Sequence, residues 1–151
     1  MTRLFHGSGV HLDSGTVLRP RGEAYEADWA ASDFYGPLER WRPAGCRPHR
    51  EAVFMVEDID DLDAAGAVTD FCAEVEPSGE VSRHDMEWGS RISCLLSEGA
   101  SPEDDEVRDC ALRYWAGEAH PDGPMWEYLA EAATVIRCEP WETFDLDAPS
   151  P

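Results

Sequence analysis

The chain has 151 residues and carries 32 acidic against 12 basic side chains, which gives a formal net charge of −20 at pH 7. A chain of this length is expected to fold as one domain and to bury about 70% of the surface that it exposes when unfolded. Its negative field repels nucleic-acid phosphates and disfavours binding to DNA or RNA, and no segment approaches the about 20 apolar residues that span a membrane. We expect a protein of the cytoplasm, because the first residues also lack the pattern of a signal peptide.

The composition is biased in a second way, because every basic residue is arginine and the chain holds no lysine, asparagine or glutamine. This bias is typical of a GC-rich genome, so we expect a bacterium, or a phage that grows in one, as the source. The excess of acidic residues serves solubility, or it imitates the phosphate backbone and occupies a nucleic-acid-binding partner.

The five cysteines show no Cys-x-x-Cys spacing, which favours free and mostly buried thiols. Cys46 and His49 form the one pair with ligand-like spacing. Nothing nearby completes a tetrahedral zinc site, so we expect no bound metal.

The first twenty residues contain two short apolar segments. One ends in the turn His6-Gly7-Ser8, and the other, at 16–18, stops before Pro20. Gly7 has no Cβ, so a flat ligand can approach its backbone closely, and the ring of His6 offers a hydrogen bond from each nitrogen. This turn suits the carboxamide and the ribose of a nucleotide, although a histidine at a strand end also serves structure alone.

The next part of the chain predicts a loop, a strand and a helix. Residues 19–50 are rich in Arg, Pro, Gly and aromatic side chains, which predicts a long loop with one or two helical turns at 33–41. A loop of this length often covers a site. The apolar run at 52–56 predicts a buried strand, and residues 58–66 predict a short helix with an acidic first turn.

A strand is predicted at 69–76, because apolar and polar residues alternate there. It is predicted to stop at Pro77-Ser78-Gly79, and a second extended piece follows and ends at Asp85.

Two helices, a short element and a strand are predicted after Asp85. The first helix covers 88–98, and the second begins with Ser101 as its N-cap and ends at Gly117. Residues 126–129 predict the short element, and the apolar run at 133–138 predicts the strand. The chain is therefore predicted to be an α+β protein with several short strands and a helical insertion at about 88–126.

Three predicted strand segments each present one candidate site residue: His6, Phe54 and Asp85. A histidine, an aromatic ring and a carboxylate suit the binding of a nicotinamide ribosyl unit and the departure of nicotinamide. The ring of Phe54 stacks on nicotinamide, His6 binds a ribose hydroxyl, and the carboxylate of Asp85 stabilises the positive charge that develops on the ribose. The fork of donors on Arg21, beside Pro20, suits a pyrophosphate.

Each of these residues also has a structural interpretation. Phe54 lies in an apolar strand and is suited to the core. Asp85 is placed to cap the turn that follows it or to pair with Arg83, and His84 is adjacent. Arg21 offsets the surrounding acidity.

In four patches the sequence resembles a known family, the rifamycin ADP-ribosyltransferases of the Arr type. Their N-terminal motif matches, in order and spacing, His6-Gly7-Ser8, Leu12, Gly15 and Pro20. Residues 52–55 resemble the second motif strand of the family, and 75–79 followed by Asp85 resemble the segment with its acidic residue. Residues 127–136 resemble the closing strand, so that the resemblance covers about half of the chain in four patches.

The resemblance implies a single ADP-ribosyltransferase-like domain at 1–144, with a small split, antiparallel-rich sheet, and a frayed acidic tail at 145–151. It implies that NAD is the substrate, that nicotinamide leaves and that ADP-ribose passes to an acceptor. His6 and Asp85 are then the catalytic residues, and NAD binding falls to His6, Gly7, Ser8 and Phe54, with Arg21 beside them.

Two departures from the family pattern bear on activity. Phe54 stands where the family has tyrosine, so the hydroxyl is lost. The loop between the first and second motifs and the insertion at about 88–126 are longer than the family needs. The acceptor is therefore open between a protein and a small molecule. Two alternatives also remain: a non-catalytic relative that binds a nucleotide, and an acidic inhibitor of a nucleic-acid-binding partner.

Overall fold

A computed structural model describes residues 2–65 and 67–148, and these form two compact units. The sheet unit consists of Met1–Pro20, Val53–Val81 and Glu127–Pro151, and the helical unit consists of Arg21–Ala52 and Ser82–Trp126. Both units are discontinuous in sequence, and each is described by itself below. The predicted tail at 145–151 lies outside the described residues from 149 onward.

Five strands form one antiparallel sheet, and the prediction of an α+β fold is confirmed. They are β1 (Leu4–Ser8), β2 (Val17–Leu18), β3 (Val53–Val56), β4 (Phe71–Asp85) and β5 (Trp126–Pro140). Their order is β2-β5-β3-β1-β4, and β4 also pairs with β5. In the register of the sheet, Phe5 lies opposite Val56 and Met55 lies opposite Tyr128.

The described part of the chain contains five short α-helices: α1 (Glu23–Trp29), α2 (Tyr35–Arg40), α3 (Asp61–Ala64), α4 (Glu87–Ser97) and α5 (Asp105–Trp115). Two 3₁₀ turns lie at His49–Glu51 and Trp141–Thr143. Among the described residues, none of these helices has the length and the apolar character needed to cross a bilayer.

The predicted stop at residues 77–79 is wrong, because β4 continues through them. The pairing of β4 with β1 ends where Leu4 meets Val75, so Pro77, which lacks an N–H, follows the last residue of that ladder by two positions. Gly79 has a φ of 78°, and the side chain of Glu131 on β5 occupies the space where a Cβ would lie. The turn residues therefore mark a change of partner strand and not the end of a strand.

Three further predictions of strands and helices are corrected. Residues 126–129 and 133–138 belong to one strand, β5, and the region predicted as mostly loop at 19–50 contains α1. The helix predicted to begin at Ser101 begins at Asp105, with Asp104 as its N-cap. Ser101 instead forms the preceding turn, in which its hydroxyl accepts a hydrogen bond from the N–H of Glu103.

Each unit has its own core. In the sheet unit the buried apolar side chains include Leu4, Val53, Met55, Ala73, Val75, Ala130 and Val135. In the helical unit α4 and α5 bury Ile92, Leu95, Val107, Ala111 and Tyr114. Burial of apolar side chains supplies most of the stability of each unit.

Candidate functional site

His6 is held in a defined orientation on β1, which lies between β3 and β4 in the sheet. Its Nδ1–H donates a hydrogen bond of 2.8 Å to the carbonyl oxygen of Phe54 on β3. Nε2 has no hydrogen-bond partner among the described residues, so it presents an acceptor lone pair from a half-buried ring. Burial lowers the pKa of His6 below its ordinary value, and the bond to the Phe54 carbonyl opposes this shift only in part. The ring is therefore neutral at pH 7.

The side chain of Phe54 does not share a face of the sheet with His6. Phe5 lies opposite Val56, and side chains alternate along a strand, so His6 and Phe54 project from opposite faces. The expectation that Phe54 and His6 contact the same ligand is wrong for this reason. What Phe54 contributes to His6 is its backbone carbonyl.

The aromatic residue that does share the face of His6 is Tyr128. Tyr128 lies opposite Met55 on β3, and the same register places Met55 beside His6, so all three side chains project from one face. Two strand spacings separate His6 from Tyr128, which is about 10 Å between their backbones. The ring of Tyr128 is half-buried. Sequence reasoning missed this residue because no local pattern reveals which residues face each other across three strands.

Packing within the chain requires a glycine at position 7. A Cβ at this position would lie 2.5 Å from the carbonyl oxygen of Val68 and 2.8 Å from the Cβ of Ala67. The close approach that the sequence assigned to a ligand is thus made by residues 67–68. The hydroxyl of Ser8 is also engaged locally, since it donates to the carbonyl oxygen of Val10 and accepts from the N–H of the same residue.

Arg21 belongs to the helical unit, where its guanidinium forms an exposed ion pair with Asp28 of α1. In the sheet unit, Arg3 and Arg137 both bind the carboxylate of Glu74. Arg19 is exposed and has no ion pair among the described residues. It is therefore the arginine of the sheet unit that is available to a phosphate.

Asp85 is fully buried in the helical unit, and backbone groups bind its carboxylate. Oδ1 accepts hydrogen bonds from the N–H groups of Glu87 at 3.0 Å and Met125 at 2.9 Å, and Oδ2 accepts one from His120 at 2.8 Å. A Cβ on Gly123 would also collide with Oδ2. These contacts confirm the capping interpretation of Asp85 and show that it also holds the loop at 116–125. Arg83 lies over the ring of Trp126, 3.9 Å from its centroid.

His49, the residue in the ligand-like pair with Cys46, is bound instead to a carboxylate and a phenol. Its Nδ1–H donates to Glu39 at 2.7 Å, and its Nε2 accepts from the hydroxyl of Tyr114 at 2.7 Å. We call Glu39, His49 and Tyr114 the His49 chain. In the part of the chain that the structure describes, no group of three or more His, Cys, Asp or Glu side chains is arranged to hold a metal ion.

His84 is a second buried histidine of the helical unit. Its Nδ1–H donates to the carbonyl oxygen of Tyr114, and its Nε2 accepts from the hydroxyl of Ser82, both at 2.8 Å. Burial and, to a smaller extent, the nearby His49 lower its pKa to about 4, against the opposing effect of the bond to Tyr114.

This shift predicts a loss of stability in mild acid. As the pH falls from 6.5 to 4, the unfolded chain takes up a proton at His84 that the folded chain rejects, so the free energy of unfolding falls. The shift corresponds to a loss of about 3 kcal/mol. Urea titrations across this range measure the loss, and His84→Gln, which keeps a donor and an acceptor, should flatten the profile. An exposed control, His11→Gln, should leave the profile unchanged, and an unaltered slope in His84→Gln would contradict the assignment.

The sheet unit carries most of the negative charge. It contains 16 acidic residues and three arginines, a net charge of −13, whereas the helical unit contains 16 acidic residues and nine arginines, a net charge of −7. Any ligand of His6 therefore enters a negative field that repels phosphates.

Comparison with known proteins gives no relative. No family model matches the chain. No curated protein is significantly similar to it in sequence, and no solved structure is significantly similar to it. The functional argument therefore depends on the site itself and on the resemblance of its motifs.

Proposed function

We propose that this protein is an ADP-ribosyltransferase-like protein that binds the nicotinamide-ribosyl half of NAD through His6 but does not transfer ADP-ribose. The observation that carries the proposal is the orientation of His6. A neutral ring anchored through Nδ1 to the Phe54 carbonyl keeps Nε2 ready to accept a hydrogen bond from a ribose hydroxyl. The antiparallel α+β architecture supports the same proposal at the level of the fold class.

The partner ring in this proposal is Tyr128 and not Phe54. Tyr128 shares the face of His6, and its half-buried ring offers an aromatic surface for nicotinamide two strands away. Gly7 is not assigned a contact with the carboxamide, because residues 67–68 make the close approach to it. These groups all belong to the sheet unit.

The proposal that no ADP-ribose is transferred follows from the position of the Asp85 carboxylate. Departure of nicotinamide leaves positive charge on the ribose, which a transferase stabilises with an available carboxylate. Asp85 accepts three backbone hydrogen bonds in the helical unit and has no exposed surface. Phe54 also lacks the hydroxyl of the family tyrosine. The non-catalytic alternative is therefore better supported than the transferase.

The experiment is a calorimetric titration of NAD into the wild-type protein, His6→Ala and His11→Ala. We expect wild type and His11→Ala to bind and His6→Ala to lose at least about tenfold in affinity, because one buried hydrogen bond is worth about that factor. Wild-type affinity should rise with salt, since salt screens the repulsion between the sheet unit and the pyrophosphate.

Nicotinamide release, measured in the same samples by chromatography, tests the second half of the proposal. We expect no release above the rate of NAD alone. Release that Asp85→Asn abolishes, in a variant that remains folded, would replace the proposal by the transferase. No binding of NAD to any of the three proteins would contradict the proposal as a whole.

A further inference from the structure

The His49 chain has the geometry of a proton-transfer chain. Glu39 accepts hydrogen bonds from both the side chain and the backbone N–H of His49, and Arg42 donates to its other oxygen. Burial raises the pKa of Glu39, but the bonds from His49 and Arg42 outweigh it and leave the pKa below its ordinary value. A carboxylate that orients a histidine, which in turn accepts from a hydroxyl, is the arrangement that activates a hydroxyl.

His49 is 3% exposed, and aromatic rings of three helices surround its imidazole: Tyr25 of α1, Tyr35 of α2, and Tyr114 and Trp115 of α5. Of these four rings, that of Tyr25 is the one that is not buried. Tyr25 of α1 stacks on His49 with ring centroids 6.4 Å apart and an angle of 27°. The edge of Tyr25 also meets Tyr35, at 5.9 Å.

α1 is held by the ring contacts of Tyr25 and Trp29 and by a hydrogen bond from the N–H of Gly22 to the carbonyl oxygen of Arg50, and the rest of its attachment is weak. None of its residues is buried, and its N-cap is Gly22, with a φ of 61° and no side-chain hydrogen bond to the helix. An exposed ion pair between Glu26 and Arg50 adds little, because solvent screens it. A helix of seven residues without a buried side chain is not stable by itself, so its opening costs much less than global unfolding.

We propose that α1 is a lid whose opening gives small molecules access to His49 and so gates the His49 chain. Gly22 is the hinge at one end of the lid, and Tyr25 is the side chain that closes it. This inference concerns the helical unit and is independent of the proposed NAD site.

His84 provides a matched control within the same unit. It is 2% exposed, and like His49 it donates from Nδ1 to an oxygen and accepts at Nε2 from a hydroxyl. No ring of α1 contacts it among the described residues. If burial alone protected the two imidazoles, both would react equally slowly with a chemical reagent. If α1 is a lid, His49 reacts and His84 does not.

The test is modification of the intact protein by diethylpyrocarbonate at pH 7, with each histidine followed by peptide mass spectrometry. We expect His49 to react at least about tenfold faster than His84, and Tyr25→Ala to raise the rate at His49 alone, because opening is local and not global. Ala27→Ser, an exposed change on the same helix, should leave both rates unchanged. Equal rates at His49 and His84 in wild type and Tyr25→Ala would overturn the proposal.

Amide hydrogen exchange provides a second measurement that does not need a variant. We expect the amides of α1 to exchange by an opening that is insensitive to low urea, while those of α5 exchange only by global unfolding. Exchange of both helices through the same global event would also overturn the proposal.

Discussion

Replacement of Asp85 by alanine is expected to lower the free energy of unfolding by about 3–5 kcal/mol, because a buried charged acceptor is lost and its donors remain. Three backbone N–H groups, of Glu87, His120 and Met125, lose the carboxylate that accepts from them. These groups join the start of α4 to the loop at 116–125, so the variant should loosen both. Urea denaturation followed by tryptophan fluorescence measures the change.

Two variants make this expectation specific to the carboxylate. Asp85→Asn keeps one acceptor oxygen for Glu87 and Met125 but presents an amide to the N–H of His120, so we expect an intermediate loss. Asp122→Ala, in the same loop with a side chain that is 87% exposed, should change the stability by no more than about 0.5 kcal/mol. A stable Asp85→Ala variant would show that the carboxylate is not structural and would restore its candidacy as a catalytic group.

Replacement of Glu74 by alanine is the second change with a large expected effect, again about 3–5 kcal/mol, since it removes the buried counter-ion of a buried arginine. Arg137, whose side chain is 7% exposed, loses its bond to Glu74, and Arg3 loses two. Hydrogen bonds from Arg3 and Arg137 lower the pKa of Glu74, whereas burial raises it. The hydrogen bonds outweigh burial, so the pKa lies below its ordinary value.

The same two arginines bind the chain near its end. Arg3 donates to the carbonyl oxygen of Leu146, and Arg137 donates to that of Asp145, each at 2.6 Å. The ring of Phe144 is 5.8 Å from that of Phe5, and the guanidinium of Arg137 lies over it, 4.1 Å from its centroid. Loss of Glu74 should therefore also increase proteolysis at residues 144–147.

A second partner of Arg137 provides a control that distinguishes the effect of a buried ion pair from that of an exposed one. Glu139 also contacts Arg137, at 3.4 Å, but its side chain is 44% exposed. We expect Glu139→Ala to cost no more than about 0.5 kcal/mol, because an exposed ion pair contributes little. Equal losses in Glu74→Ala and Glu139→Ala would contradict the importance given to the buried pair.

The elements that sequence reasoning identified are those with a local cause. The apolar run at 52–56 corresponds to β3, and the helix predicted at 88–98 corresponds to α4 at Glu87–Ser97. Gly117 has a φ of 73° directly after α5, as a residue that ends a helix often does. In each case the residues that determine the element lie within it or beside it.

The elements that were missed have causes elsewhere in the chain. β4 passes through Pro77-Ser78-Gly79 because it changes partner from β1 to β5, which no local turn signal distinguishes from a strand end. α1 has no buried residue and hence no apolar stripe from which to predict it.

The candidate site was predictable only in part for the same reason. His6 was identified from a turn predicted at His6-Gly7-Ser8, but this prediction is wrong, because these residues lie within β1 and pair with β4. The face that His6 shares with Tyr128 depends on the pairing of three strands. The His49 chain joins residues that are 10 and 65 positions apart, and neither spacing carries a signal. Asp85 had both a catalytic and a capping interpretation, and only the positions of His120 and Met125 distinguish them.

The most direct test of the central claim is the ¹⁵N NMR spectrum of the His6 imidazole during a titration with NAD. Nε2 should shift as it accepts a hydrogen bond from the ribose, while Nδ1, already bonded to the Phe54 carbonyl, should stay close to its starting value. The other four imidazoles should not change. Unchanged signals of His6 at saturating NAD, or at millimolar NAD without saturation, would contradict the claim that this residue holds the nucleotide.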